Sequence, residues 1–237
     1  MFQSNKEYID FLIQSGVHTF LQETPNNLLK DKENDNKIVE NKPNKNLHEI
    51  NEISDLVNLI AKHNSFRKKT ANKFVLNEGN TQSKLMIIGD APTEKEEKEG
   101  KPFAGEVGQL LNKMLSAIHL EREDIYITNV IPWKHPRNEN PTEEEILEFM
   151  PYLQRQIEII KPSYLYLLGS TAVKTVLSTP LHLDKLRGKW HQYKSINLNT
   201  SIEVLVSYHP AFLLKSPNYK KEASADLQML QKKLNDK

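Results

Sequence analysis

Between residues 85 and 234 short apolar runs alternate with amphipathic stretches, and few folds can satisfy that order. The runs are LMII (85–88), IYIT (125–128), YLYLL (164–168) and VLVS (204–207). Each is strand-length, and each is apolar nearly throughout, as expected of strands buried on both faces. Between them, Leu110, Leu111, Met114, Leu115 and Ile118 recur at helical spacing. Ile146, Met150, Leu153, Ile157 and Ile160 do the same, as do residues 171–177 and 219–234. Thr142-Glu143-Glu144-Glu145 is a strong helix start, with Thr as cap, Glu at the third position and acids facing the positive end of the dipole. Strands alternating with helices predict an α/β fold: a parallel sheet with helices on both faces and right-handed crossovers. Those crossovers put all four strand carboxyl ends on one side, where open parallel sheets bind ligands.

The rest of the 237 residues is less regular. Residues 1–23 carry Tyr8, Phe11, Leu12, Val17 and Leu21, an expected short helix. Residues 24–46 are dominated by Asn, Lys, Asp and Glu, too polar to offset ordering entropy, and read as a linker. The globular domain is expected over 47–237, beginning with a helix capped by Asn46 and Glu49 that continues through Ile50, Ile53, Val57 and Ile60. Arg67-Lys68-Lys69 reads as a solvated loop. The formal net charge is +1, so any nucleic-acid contact must rest on local patches. The chain has no cysteine, which excludes disulfides and thiolate-bound zinc or iron–sulfur centres. Its eight histidines show no HExxH-like pairing, so no metal site is expected. No apolar run approaches the ~20 residues of a membrane span, and the first residues do not resemble a signal peptide. A soluble, cytoplasmic, monomeric protein is expected.

Four short segments carry the chemistry. Gly89-Asp90-Ala91-Pro92 and Thr128-Asn129 follow the first two strands, and His209-Pro210-Ala211 follows the last. Pro102-Phe103-Ala104-Gly105 precedes a helix. Each has a bland reading alone: Asp90 as a turn cap, Phe103 as core, Asn129 as a local backbone partner, His209 as an extended pre-proline residue. The predicted sheet, however, delivers all four to one place. There an amide can donate and accept along a heterocycle edge, and an aromatic ring can stack on it. An imidazole can stabilise a developing oxyanion, and a carboxylate can orient water or stabilise a cation. Neither GxGxxG nor GxxxxGK[ST] follows the first strand, which disfavours a nucleotide-phosphate site.

These residues bring a family into view. From about 65 to 234 the chain resembles the family 4 uracil-DNA glycosylases, in the segments MIIGDAPTEKEEKEGKPFAGEVGQLLNKML, YITNVIPWKHPRNENPTEEEI, PYLQRQIEIIKP, LGSTAVKTVL, LRGKWHQY and YHPAFLLKSPNYKKEASADL. The resemblance implies a three-layer α/β/α sandwich on a four-stranded parallel sheet. It also implies hydrolysis of the N-glycosidic bond of uracil in DNA, leaving an abasic site. By that resemblance Phe103 stacks on the flipped base, Asn129 reads its edge, and His209 stabilises the departing uracil anion. Asp90 acts on water or the sugar cation, and the backbone near Ala91 closes the pocket. Leu213 and Leu214 look like the wedge that enters the stack, with Lys215, Lys220, Lys221 and Arg187 near the DNA backbone.

Three departures accompany the resemblance. Family 4 holds an iron–sulfur cluster on four cysteines, and Trp133, Phe149 and about Ser65 stand at three of those places here, so a cofactor-free enzyme with apolar packing is expected. Asp90 is one methylene shorter than the family's Glu, and such a shift in a catalytic group can cost ~100-fold. Thr93 stands where the family has Gly, implying strain if that position has positive φ. The alternatives are a catalytically weakened DNA-binding protein on the same fold and an unrelated nucleotide-binding α/β protein.

Overall fold

A computed structural model describes residues 47–236; the N-terminal helix and linker read from sequence lie outside the described residues. Nine α-helices and six strands follow in chain order among these residues. They are α1 (Ile53–Lys62), α2 (Phe66–Thr70), β1 (Asn77–Gly79), β2 (Leu85–Gly89), α3 (Glu94–Glu99), α4 (Gly105–Ser116) and β3 (Tyr126–Asn129). Next come α5 (Glu143–Ile160), β4 (Tyr164–Leu168), α6 (Ser170–Leu177), α7 (Leu183–Leu186), β5 (Trp190–Tyr193), β6 (Ile202–Ser207), α8 (Pro210–Lys215) and α9 (Lys220–Asn235).

The strands form one sheet in the order β1-β3-β2-β4-β6-β5. The four sequence-predicted strands are its parallel centre. Two further strands flank them, β1 antiparallel to β3 and β5 antiparallel to β6, so the sheet is six-stranded and mixed rather than four-stranded and parallel. The additions escape a search for apolar runs because an edge strand has one neighbour and needs no continuous apolar face. Asn-Glu-Gly and Trp-His-Gln-Tyr carry no such run.

Alternation along the central strands divides the core into two layers. Met86, Ile88, Leu165, Leu167, Val204 and Val206 pack against α1, α5 and α6. Leu85, Ile87, Tyr166, Leu168 and Leu205 pack against α4 and α9. The α5 start forms as its sequence predicts: Thr142 Oγ1 accepts from the Glu145 N–H at 3.2 Å, and Glu145 accepts from the Thr142 N–H at 2.9 Å. The first helix begins later than expected. Residues 47–49 form a 3₁₀ turn, and α1 starts at Ile53 behind Glu52, whose side chain makes no capping bond.

The chain leaves β2 to form β3 on one side, then crosses to β4 on the other. The carboxyl end of β2 is therefore the switch point of the sheet, where a ligand crevice is expected. Asp90 is the first residue beyond it.

Candidate active site

Gly89 ends β2 and lets two site residues approach the backbone. A side chain there would meet the Phe103 ring at 2.5 Å and Asn129 Oδ1 at 2.6 Å. The ring and the amide are thus brought together although they arrive from different connections. His209 follows β6, and its imidazole lies on Phe103 with centroids 5.2 Å apart and planes 21° from parallel. Asp90, Ala91 and His209 share the wall of a cavity of about 270 Å³ with Thr93, His135, Phe212 and Lys215. Phe103 and Asn129 lie behind that wall, each 1% exposed.

The imidazole has a defined tautomer. The Ala211 N–H donates to His209 Nδ1 at 3.2 Å, so Nδ1 carries the lone pair and the neutral ring holds its proton on Nε2. Burial lowers its pKa to about 4, so near pH 7 it is a neutral donor. Asn129 Nδ2 is buried without a hydrogen-bond partner. Such a donor costs about 1–3 kcal/mol, and an unmatched amide just behind the crevice wall is what a polar group entering there would satisfy.

Asp90 is held more firmly than a turn residue. Its Oδ1 accepts from the Ala172 N–H at 2.9 Å, in the first turn of α6, and Thr171 adds backbone and hydroxyl bonds. A Cβ on Gly169, where φ is +106°, would fall 2.5 Å from Asp90 Oδ2. Glycine is therefore required twice over at that position. Burial raises the Asp90 carboxyl to about 7, against the lowering pull of the Ala172 and Thr171 bonds.

The neighbouring loop is not strained at Thr93. Its φ is −85°, and it caps α3 in a complete capping box with Glu96. Phe103 is the unusual residue, a phenylalanine at φ +51°. Its N–H donates to the buried Glu96 carboxylate, and its carbonyl accepts from Arg122 Nη1 at 3.3 Å. Glu96 and Arg122 have no place in the sequence reading. The Thr-x-x-Glu spacing of a capping box was the available signal for Glu96.

Three sequence expectations change. Leu213 is 1% exposed and packs with Tyr208 and Ala223, so it is core and cannot enter a DNA stack as it stands. The exposed apolar residues of α8 are Phe212 and Leu214, at 38% and 37%. Arg187 faces inward: Nη2 donates to Asp226 Oδ1 at 2.7 Å and to the Glu222 carbonyl at 2.8 Å, and its guanidinium lies 5.3 Å from the Tyr208 centroid. Arg67 is not solvated. It is 1% exposed and donates to Glu145 at 2.6 and 2.8 Å and to the Trp133 carbonyl at 3.3 Å. Lys215, Lys220 and Lys221 are exposed as expected.

The places implied for cluster ligands do not suit an iron–sulfur centre. Trp133 and Phe149 are buried with centroids 5.7 Å apart, Phe74 abuts Trp133 at 5.3 Å, and Ser65 Oγ accepts from the Lys68 N–H at 3.1 Å. These groups offer iron no thiolate. The described residues also contain no group of three or more His, Asp or Glu able to hold a metal ion. No helix among them is long and apolar enough to cross a membrane.

The Asn129 amide, the Phe103 ring, the Nε2-protonated His209 and the helix-held Asp90 carboxylate thus come together at the carboxyl end of the sheet. In agreement, residues 76–228 match the family model described as the uracil DNA glycosylase superfamily, and the chain belongs to that superfamily. Within it, the chain is similar to type-4 uracil-DNA glycosylases. It is 38% identical to that of Saccharolobus solfataricus over 177 residues, covering 73% of this chain and 79% of the relative. It is 39% identical to that of Sulfurisphaera tokodaii over 158 residues, covering 65% and 71%. It is 33% identical to that of Archaeoglobus fulgidus over 166 residues, covering 68% and 82%.

Proposed function

We propose that the protein is a monofunctional uracil-DNA glycosylase, which hydrolyses the N-glycosidic bond of uracil in DNA and leaves an abasic site. The supporting observation is the unpartnered Asn129 amide beside the Phe103 ring, with a neutral, Nε2-protonated imidazole on that ring.

The target bond is unreachable within a duplex, so the nucleotide must be extruded. Phe103 then supplies the stacking face. Asn129 Nδ2 donates to uracil O4 and Oδ1 accepts from N3–H; cytosine offers the reverse pattern and would leave both groups unpaired. As the bond breaks, negative charge moves onto uracil O2, and His209 Nε2–H donates to it. A neutral donor suits this step, because it stabilises the anion without needing to be charged beforehand. The ionised Asp90 faces the positive charge growing on the sugar and orients the attacking water. Ala91 closes the pocket, and Phe212, Leu214 and Lys215 meet the DNA around the extruded nucleotide. Residues 47–237 form the catalytic domain and 1–46 an extension. The enzyme works on uracil-containing DNA as a monomer, without a resident cofactor, in the cytoplasm at the nucleoid.

Incubation with a uracil-containing oligonucleotide should produce alkali-labile abasic sites. Intact DNA across varied pH and salt, with folded protein, overturns the proposal. One observation favours a second reading, a weakened enzyme: Asp90 already serves as an acceptor for the first turn of α6. Asp90→Glu discriminates, since a large gain in rate would mark the native site as degenerate.

A further inference from the structure

Glu96 lies in the acidic run EKEEKE, yet it is only 2% exposed. A capping-box glutamate ordinarily returns to the N-cap N–H alone. Here one carboxylate gathers three donors from two walls of the site. Oε2 accepts the Thr93 N–H and the Thr93 hydroxyl, each at 2.7 Å, and Oε1 accepts the N–H of Phe103, seven residues on. Thr93 belongs to the loop that carries Asp90 and Ala91, and Phe103 carries the aromatic face.

Phe103 is held from its other side as well. Arg122 Nη1 donates to the Phe103 carbonyl at 3.3 Å and Nη2 to the Pro102 carbonyl at 2.6 Å, while Glu78 fixes the guanidinium at 2.7 Å. A Cβ on Gly108 would fall 1.9 Å from the Phe103 carbonyl oxygen, so α4 packs directly against this turn. A non-glycine residue in the left-handed region is costly and persists where its surroundings over-determine it. The Phe103 φ of +51°, clamped at both its N–H and its C=O, is such a case.

We propose that Glu96 is a positioning residue: its buried carboxylate fixes the Phe103 ring relative to the Asp90–Thr93 loop and so sets the slot into which the base slides. The inference rests on the uracil reading above. It gives Thr93 a role, since the hydroxyl that a glycine would lack is one of the three donors on the clamp. The competing account is that Glu96 only caps the short helix α3.

Glu96→Gln tests it, because the amide presents one acceptor where the carboxylate presents two and leaves a buried N–H facing an NH₂ group. Wild type and variant are compared in kcat/KM on a uracil-containing oligonucleotide, inhibition by free uracil, affinity for abasic-site DNA and circular dichroism. We expect uracil inhibition to weaken at least tenfold and kcat/KM to fall by as much or more, with abasic-DNA affinity within twofold and the spectrum unchanged. Unchanged uracil inhibition in folded protein overturns the clamp in favour of capping alone. A parallel loss of uracil and abasic-DNA affinity overturns it in favour of a general structural role. If Glu96→Gln does not fold, Arg122→Gln releases the carbonyl side of the same turn and must show the same selective loss; unaltered uracil inhibition there overturns the proposal. A wild-type enzyme inert on uracil-containing DNA overturns the functional reading instead, which separates the two failures.

Discussion

The imidazole of His209 rests on the ring of Phe103, centroids 5.2 Å apart and planes 21° from parallel. That spacing falls in the range of about 4.5–7 Å for direct offset stacking, so no third ring fits between them. A base that stacks on Phe103 must first displace the imidazole sideways, from the ring face to the ring edge, where Nε2–H can reach a carbonyl. Loss of the ring should therefore be felt chiefly in base affinity. Phe103→Ala is expected to weaken inhibition by free uracil about 5- to 150-fold, the equivalent of ~1–3 kcal/mol of base–aromatic stacking. Product-inhibition kinetics measure it, and an unchanged inhibition constant would place the base elsewhere.

The two titrating groups of the crevice move in opposite directions. Burial raises Asp90 to about 7 and lowers His209 to about 4. The proposed chemistry needs an ionised Asp90 and a neutral His209, so activity is lost as Asp90 protonates, while His209 stays neutral well below that point. The profile of kcat/KM, which reports the free enzyme, should rise with pH through a single apparent pKa near 7 set by Asp90. Asp90→Asn should abolish that limb together with most of the activity. A flat profile between pH 5 and 8 in the wild type would remove Asp90 from the mechanism.

Arg67 and Glu145 join α2 to the start of α5 beside the packed rings of Trp133 and Phe149. Burial pushes the Glu145 carboxyl up, and the Arg67 bonds, the Thr142 N–H and the charges of Arg67 and His135 together outweigh it, holding it below the usual carboxylate range. Arg67 is buried and its partner Glu145 half-buried, so removing the guanidinium strands a carboxylate against packed rings. Arg67→Met should lower unfolding stability by about 3 kcal/mol, and adding Glu145→Leu should recover only part of it, because Glu145 also closes the capping box with Thr142. Urea denaturation measures both. The same titrations should show no effect of iron chelators or ferricyanide. A chelator-sensitive midpoint would revive a metal in this region.

The parallel centre of the fold was legible because four apolar runs had to be buried on both faces. The edge strands were not, since Asn77–Gly79 and Trp190–Tyr193 pair through backbone and need no apolar pattern. The convergence of Asp90, Phe103, Asn129 and His209 followed from topology. What topology could not supply was the direction each side chain takes. Leu213 and Leu214 are adjacent and chemically identical, yet one is core and the other exposed. Arg67 reads as part of a basic run until Glu145, 78 residues away, turns it inward. Glu96 hides among acids of which it and Glu97 alone are buried. Charged residues in runs are normally solvated, so burial of one member depends on a distant partner that no local window contains.

The outward face of α8 makes a separable prediction about DNA. Phe212 and Leu214 are exposed, Phe212 and Lys215 line the cavity, and Leu213 is packed under Tyr208. Leu214→Ala should leave the melting temperature nearly unchanged, while Phe212→Ala should lower it modestly through lost ring contacts with Tyr208 and Tyr219; both should reduce turnover on duplex uracil more than on single-stranded uracil, because an apolar wedge offsets unstacking only where there is a stack to open. Leu213→Ala should do the reverse, lowering stability by about 2–5 kcal/mol through the cavity it leaves. Equal losses on both substrates from Leu214→Ala would assign it a role other than the wedge.

Asp90 links function to a cost in stability, and the sign of that cost can be fixed. Its ordinary pKa of 3.8 is raised to about 7 in the fold, chiefly by burial, so the folded protein holds this proton more tightly than the unfolded chain. Below pH 3.8 both states are protonated and the group contributes no difference. As pH rises toward 7 the unfolded chain sheds its proton first, and the folded state loses stability steadily. Above 7 the penalty is complete. Asp90→Asn keeps an oxygen to accept from the Ala172 N–H and removes the buried charge. It should therefore melt close to wild type at pH 4 and higher than wild type at pH 8. Because Asp90 lines an open cavity, solvent screens part of the effect, and a gain on the order of 1–2 kcal/mol is expected, or about 2–4 °C for each kcal/mol. Calorimetry at the two pH values checks it. A variant less stable than wild type at pH 8 would mean that the bonds from Ala172 and Thr171 outweigh the burial of the charge, and the carboxylate would then be a structural cap rather than a strained catalytic group.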